Sequence, residues 1–312
     1  MSQAAVSTTP RSTADALRGV LAEALDGDPR VLVLGESVGR LGGIHGVTEG
    51  LLERFGAERV VDTPLSERAT IGLAVGLSLG GKLPVVELAV ADRAWAASEQ
   101  LLQELATLAA RTAELAAPLV LRLPCGAAAS AGPFVGASVE ALLTAAPGLA
   151  VVSASTPNDA AGLLRSALAA KTPVVLLEPM ALYGERAPLA RGAVPLASAR
   201  TVLEGSHCSV FCWGATVATC SAAAQRLVDH GYSVEVVDLR SLSPLDVGAI
   251  AASARKTGRV VLAHEGGPAF ADRVLRTATR EAFLFLEAPP AAVGGLPTVD
   301  AVAQAVVDAV QF

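Results

Sequence analysis

Residues 31–92 have the sequence VLVLGESVGRLGGIHGVTEGLLERFGAERVVDTPLSERATIGLAVGLSLGGKLPVVELAVAD. Short β-branched runs alternate in this stretch with longer runs rich in helix-forming residues, and the alternation continues to about residue 180. This pattern is typical of βαβ units, in which helices connect parallel strands. The stretch therefore predicts an α/β fold built on a parallel sheet.

The strand candidates form two groups, which a segment without periodicity separates. The first group predicts one sheet from residues 31–34, 59–61, 84–88, 118–123, 150–153 and 173–177. The second predicts a smaller α/β unit, with strands at 208–212, 233–237 and 259–263 and a helix at 218–230. Between them lies a stretch rich in proline, glycine and alanine. We expect a loose N-terminal arm at 1–11, a first domain at 12–185, a linker at 186–200 and a second domain at 201–312.

The composition argues against several classes of protein. Hydrophobic residues make up 52% of the 312 residues and charged residues 17%, which excludes disorder and favours sheets buried on both faces. The net charge of −6 and the lack of a Lys/Arg cluster argue against nucleic acid as a partner. With no apolar span near 20 residues and no secretory pattern, we expect no membrane association and a cytoplasmic location. The apolar excess also predicts an obligate oligomer.

Several segments carry a family resemblance. Residues 31–92, APGLAVVSASTPNDAAGLLRSAL (146–168) and PVVLLEPMALYG (173–184) resemble the pyrimidine-binding domain of E1 β subunits from pyruvate and branched-chain 2-oxo acid dehydrogenases. CWGATV, SVEVVDLRSLSPLD and TGRVVLAHE, within residues 212–265, are similar to the transketolase C-terminal domain. The resemblance implies a parallel-sheet thiamine-diphosphate pyrimidine-binding domain followed by a transketolase C-terminal-type α/β domain.

The resemblance also implies a cofactor and a partner. In the family, thiamine diphosphate lies between the two subunits, and the α subunit holds its diphosphate and Mg²⁺ through a GDG motif followed by an asparagine. No GDG occurs in this chain. Because a thiamine enzyme needs that anchor, either a separate α chain supplies it or the cofactor is absent. We expect an α partner, in an α2β2 assembly that decarboxylates a small 2-oxo acid. The histidines show no metal-ligand spacing, so we assign no metal to this chain.

Glu67, in DTPLSE, is the expected catalytic residue. It matches the family glutamate that faces N1′ of the cofactor's aminopyrimidine, where a carboxyl exchanges a proton and prepares C2 for deprotonation. Glu36, in LGES, matches an acidic position at the end of the first strand, where ligands of parallel sheets bind. Leu65 and Arg93 also fall within the matched motifs, and we expect both to contact the cofactor. Glu87 lies within a matched motif as well. For Glu87 and Leu65, a role in the core or in a hydrogen-bond network is also an adequate explanation.

Two departures from the family pattern concern the expected site. Pro133 and Val135 occupy loop positions where active β subunits carry histidine, and neither side chain can donate a proton. Arg93, in ELAVADRAW, stands at the family phenylalanine that stacks on the aminopyrimidine. An arginine can stack on a π face, but it can also pair with Glu67 and hold that carboxyl ionised.

Three functions therefore stay open. The first is a conventional E1 β subunit that feeds lipoyl-lysine on a carrier domain, which the altered loop weakens. The second is a specialised subunit that passes a two-carbon unit to a sugar or another carrier-bound acceptor in secondary metabolism. The third is a non-catalytic subunit that keeps the fold, and Arg93 supports it. His264 is interpreted as structural, whereas His45 lies in a glycine-rich loop that either enters the site or is exposed.

Overall fold

The computed structural model describes residues 9–111, 117–126 and 139–312. The chain forms two compact units that divide between Leu196 and Ala197. The first unit contains the strands β1 (Arg11–Ser12), β2 (Val31–Gly35), β3 (Val60–Asp62), β4 (Leu83–Glu87), β5 (Val120–Cys125), β6 (Ala150–Ser153), β7 (Val174–Pro179) and β8 (Arg186–Ala187). Its helices are α1 (Thr13–Gly27), α2 (Leu51–Phe55), α3 (Glu67–Leu79), α4 (Leu108–Arg111), α5 (Glu140–Leu143) and α6 (Pro157–Ala169).

The first unit is organised around a parallel sheet. Its strands follow the order β6-β7-β5-β4-β2-β3, and each neighbouring pair is parallel. Strands β2, β4, β5 and β7 are buried along their whole length, which explains their continuous apolar sequences. The predicted α/β fold class is confirmed.

Helices α1 and α6 pack against each other and contribute to the core of this unit. Each helix begins at a polar cap: Ser12 and Asp15 form a capping box on α1, and Thr156 caps α6 ahead of Pro157. Caps of this kind satisfy backbone N–H groups that have no partner within the helix. Strand β1 pairs antiparallel with β8, so Arg11 lies opposite Ala187. This pairing brings residues 11–12 together with residues 186–187, which are close to the end of the unit.

The second unit is a smaller α/β sheet. Its elements are β9 (Arg200–Leu203), β10 (Cys208–Cys212), α7 (Thr216–Val228), β11 (Val234–Asp238), β12 (Ser241–Ser243), α8 (Val247–Thr257), β13 (Val260–Ala263), α9 (Pro268–Ala282), β14 (Ala291–Val293) and α10 (Val299–Gln311). The sheet order is β14-β13-β10-β11-β9, and β9 alone among these strands is antiparallel to its neighbour. Within the described ranges, no helix is both long and apolar enough to cross a bilayer.

Candidate active site

The candidate site lies where three neighbouring strands of the first sheet end. Glu36 directly follows β2, residues 63–66 follow β3, and Glu87 is the last residue of β4. Because these strands are parallel neighbours, their carboxyl ends meet at one edge of the sheet, where ligands of such sheets bind. The loop after β3 leads directly into α3, whose first residue is Glu67.

A pocket of about 220 Å³, its open mouth included, occupies this edge. The residues that line it are Glu36, Thr63, Pro64, Leu65, Ser66, Glu67, Thr70, Glu87, Leu88 and Ala89. Three residues predicted for the cofactor site, Glu36, Leu65 and Glu67, therefore come together. This space includes open solvent, so the residues line an open cleft and do not enclose a ligand-sized cavity.

Glu67 is paired with the fourth predicted residue, Arg93. Arg93 lies in a 3₁₀ turn, Ala91–Trp95, that follows β4. Its Nη1 lies 3.1 Å from Glu67 Oε1, and the Glu67 side chain is 12% exposed while that of Arg93 is 42% exposed. The ion pair that the sequence suggested is present.

A buried charge network supports the pocket from within the sheet. Arg122, on β5, is fully buried and donates from Nε and Nη2 to the two carboxylate oxygens of Glu178, at 2.7 and 2.8 Å. Its Nη1 donates to Glu87, and the Tyr183 hydroxyl donates to Glu178. Burial raises the pKa of Glu87, although Arg122 opposes that rise. Burial, followed by the charge of Glu178, also raises the pKa of Tyr183 well above its usual value.

The glycine-rich loop after β2 reaches this network. The His45 ring stacks on Tyr183 at 4.7 Å between centroids, and its buried Nε2 has no hydrogen-bond partner among the described residues. Gly43 has a φ of +77°, and a Cβ there would lie 2.7 Å from Glu87 Oε1. The loop can therefore pass this close to Glu87 only without a side chain at position 43.

Further predictions concern Pro133, Val135 and His264. Pro133 and Val135 lie outside the described residues. His264, in the second unit, is 3% exposed and stacks on Trp213 at 6.0 Å, which agrees with a structural role. The contacts between Arg122, Glu178 and Tyr183 were not predicted. One signal was available, because an arginine inside the apolar run PLVLRL (118–123) requires buried partners.

Comparisons with known sequences define the class of protein. The sequence model of the transketolase pyrimidine-binding domain matches residues 9–185, and that of the transketolase C-terminal domain matches residues 197–312. The chain therefore belongs to the transketolase-like family with these two domains. A solved structure with the same fold is a split-gene transketolase in an inactive β4 tetramer. It has a TM-score of 0.76 at 21% identity, and the match covers 97% of this chain and 99% of that one.

Several relatives are named as β subunits of 2-oxo acid dehydrogenases. The pyruvate dehydrogenase E1 component subunit β of Leifsonia xyli is 38% identical over 288 residues, 91% of this chain and 86% of the relative. The 2-oxoisovalerate dehydrogenase subunit β of Pseudomonas aeruginosa is 37% identical over 316 residues, 94% and 89% of the two chains. The 3-methyl-2-oxobutanoate dehydrogenase subunit β of Mycobacterium tuberculosis is 40% identical over 284 residues, 88% and 80%. The resemblance to E1 β subunits is confirmed.

Proposed function

We propose that this chain is the β subunit of a thiamine-diphosphate-dependent enzyme that decarboxylates a small 2-oxo acid. The observation that carries the proposal is the position of Glu67. Glu67 is the first residue of α3, and it lines a pocket at the edge of the sheet where the parallel strands end. The chain is similar to E1 β subunits over nearly its whole length.

The residues at this pocket have the chemistry to contact the aminopyrimidine end of the cofactor. Glu67 would hold and exchange a proton at the ring nitrogen N1′, which is general acid–base work for a carboxyl. Leu65, 56% exposed, offers an apolar surface for the ring, and Glu36 offers a hydrogen-bond acceptor. When bound, thiamine diphosphate supplies the carbon nucleophile that attacks the 2-oxo carbonyl and accepts the electrons released with CO₂.

The other end of the cofactor requires a partner. Among the described residues, no group of three or more metal-ligating side chains could hold Mg²⁺, and the sequence contains no GDG. We propose that an α subunit with a GDG motif and a following asparagine binds the diphosphate and Mg²⁺, and that the assembly is α2β2. The relatives are themselves named as β subunits, which supports a heteromer.

Helix α3 offers a surface for that partner. Beyond the exposed Arg68, which pairs with Glu99, the exposed residues of this helix are Ala69, Gly72, Leu73, Gly76 and Leu79. Leu73 and Leu79 are 49% and 43% exposed, and a Cβ at Gly76 would meet no atom within 4 Å. A face of small and apolar residues allows close packing against another protein surface. Because the same helix begins with Glu67, a subunit packed here would border the pocket.

The test is cofactor-dependent CO₂ release by the chain purified with its α partner. Pyruvate and 3-methyl-2-oxobutanoate are the first substrates, and wild type is compared with Glu67→Gln. We expect the variant to lose about 100-fold or more in kcat, the range for general acid–base groups. Glu53→Gln, at an exposed position of α2, is the matched control and keeps full activity. Full activity in Glu67→Gln would contradict the assignment.

The Arg93–Glu67 ion pair favours a second candidate, a subunit that keeps the fold and the α contact but does not activate the cofactor. Failure to release CO₂ from any of several 2-oxo acids, despite a stable complex with the α chain, would support it. If CO₂ is released, addition of a lipoyl domain identifies the acceptor. Acylation of the domain indicates a conventional E1 reaction, and release without acylation shows that this lipoyl domain is not the acceptor.

A further inference from the structure

The carboxylate assigned to the cofactor already has a partner within the chain. Arg93 Nη1 lies 3.1 Å from Glu67 Oε1 at the pocket. We propose that Arg93 is a displaceable latch on Glu67, so that the guanidinium and the cofactor nitrogen N1′ compete for one carboxylate. The arginine must leave before the aminopyrimidine can bind Glu67. This inference rests on the proposed function.

The Arg93 side chain can leave Glu67 without a change in the backbone of Arg93, because separate contacts hold the two. The Arg93 backbone N–H donates to Val90 O, and its carbonyl accepts from Ala96 N, both at 3.1 Å. Among the described residues, Glu67 is the sole ion-pair partner of the guanidinium. An arginine side chain that is 42% exposed also exchanges its contacts with water, so such pairs are weak.

The charges around the pocket limit where the guanidinium can go. Glu36 and Glu87 line the same pocket as Glu67, so the arginine stays in an acidic environment after it releases Glu67. Glu87 already accepts from Arg122. Cofactor binding therefore costs the free energy of one partly exposed ion pair, and the affinity for the cofactor is lower by that amount. A loss of about 1 kcal/mol corresponds to about fivefold in Kd.

The experiment measures thiamine diphosphate binding by isothermal titration calorimetry, with Mg²⁺ and the complex of this chain with its α partner. We expect Arg93→Gln to bind the cofactor about fivefold more tightly than wild type. The matched control is Arg54→Gln, which removes an ion pair with Asp26 from a side chain of similar exposure, 56%. The control keeps the wild-type Kd.

A cofactor analogue with CH in place of N1′ tests the competition itself. The analogue cannot use Glu67, so the Arg93–Glu67 pair can stay closed and Arg93→Gln gives no gain in its affinity. An equal gain for cofactor and analogue would show that Arg93 obstructs by size alone, and it would overturn the latch. Unchanged or weaker binding of the cofactor by Arg93→Gln would also overturn it, and weaker binding would assign Arg93 a direct contact with the cofactor.

Salt supplies an independent check. Because ions screen partly exposed pairs, the ratio of the wild-type to the Arg93→Gln dissociation constant should fall toward one between about 100 mM and 1 M NaCl, where the Debye length falls from about 10 to about 3 Å. A ratio that does not change with salt contradicts an electrostatic latch. If the wild-type complex binds no thiamine diphosphate, or if Glu67→Gln still releases CO₂ at the wild-type rate, the proposed function itself is wrong.

Discussion

Two arginine–glutamate clusters lie in the same domain and differ in burial. Arg122 is fully buried between Glu87 and Glu178, whose side chains are 3% and 1% exposed. Arg93 is 42% exposed beside Glu67. Water cannot replace a lost partner in the first cluster, whereas it can in the second. The difference indicates that Arg122 maintains the structure beneath the pocket and that Arg93 can exchange Glu67 for water.

Removal of Arg122 gives the largest expected effect on stability. Arg122→Met has a similar volume but leaves two buried carboxylates without their cation. We expect the free energy of unfolding to fall by about 3–5 kcal/mol, as when a buried ion pair loses one member. Urea unfolding followed by circular dichroism measures the change. Arg54→Gln, which breaks an exposed pair, should change stability by less than about 1 kcal/mol. Equal losses in both variants would remove the distinction between the clusters.

Gly43→Ala should have the next largest effect, because it introduces a methyl group beside Glu87. The position combines a φ of +77° with a Cβ that would lie 2.7 Å from Glu87 Oε1. We expect a loss of about 1–3 kcal/mol, in the range for strained backbone positions. Gly50→Ala is the matched control, since Gly50 has a φ of +76° but no atom within 4 Å of the added Cβ. If both variants lose the same free energy of unfolding, the contact between the added methyl group and Glu87 contributes nothing to the loss.

The pH dependence of stability tests the charge state of Glu87. Its pKa is raised from 4.5 in the folded chain, mainly by burial. A group with a raised pKa contributes stability that is present below its unfolded pKa and is lost as the pH rises through its folded pKa. The difference in stability between wild type and Glu87→Gln should therefore shift against wild type as the pH rises from about 4.5. A difference that is constant with pH would show that Glu87 titrates as an unperturbed carboxyl.

The sheet was predictable from local sequence, whereas the network within it was not. Runs such as VLVL at 31–34 and AVVS at 150–153 mark strands because they are short, apolar and β-branched. The partners of Arg122 depend instead on strand order. Strand β5 lies between β4 and β7, so Glu87 is directly opposite Arg122 and Glu178 is opposite Pro124, two residues further along. Sequence patterns do not show which strands become neighbours.

The candidate site was partly predictable for a different reason. Glu36, Leu65 and Glu67 follow strand ends, and family motifs marked each of them, so their meeting at one pocket needed only a parallel sheet. The approach of Gly43 and His45 to Glu87 and Tyr183 was not predictable, because it depends on the path of a loop. Glycines at 42, 43, 46 and 50 with positive φ determine that path, and many loop conformations meet the same local rules.

Arg93→Gln should have the smallest effect on stability. The variant removes a partly exposed ion pair, whose contribution is typically about 0–1 kcal/mol, and leaves Glu67 close enough to solvent to be hydrated. The free energy of unfolding of the chain in urea should therefore change by less than about 1 kcal/mol. The same variant alters cofactor affinity in the complex. A loss comparable to that of Arg122→Met would show that the pair is a structural element. Arg93 could not then move at low cost, and the contrast between the two arginines would not hold.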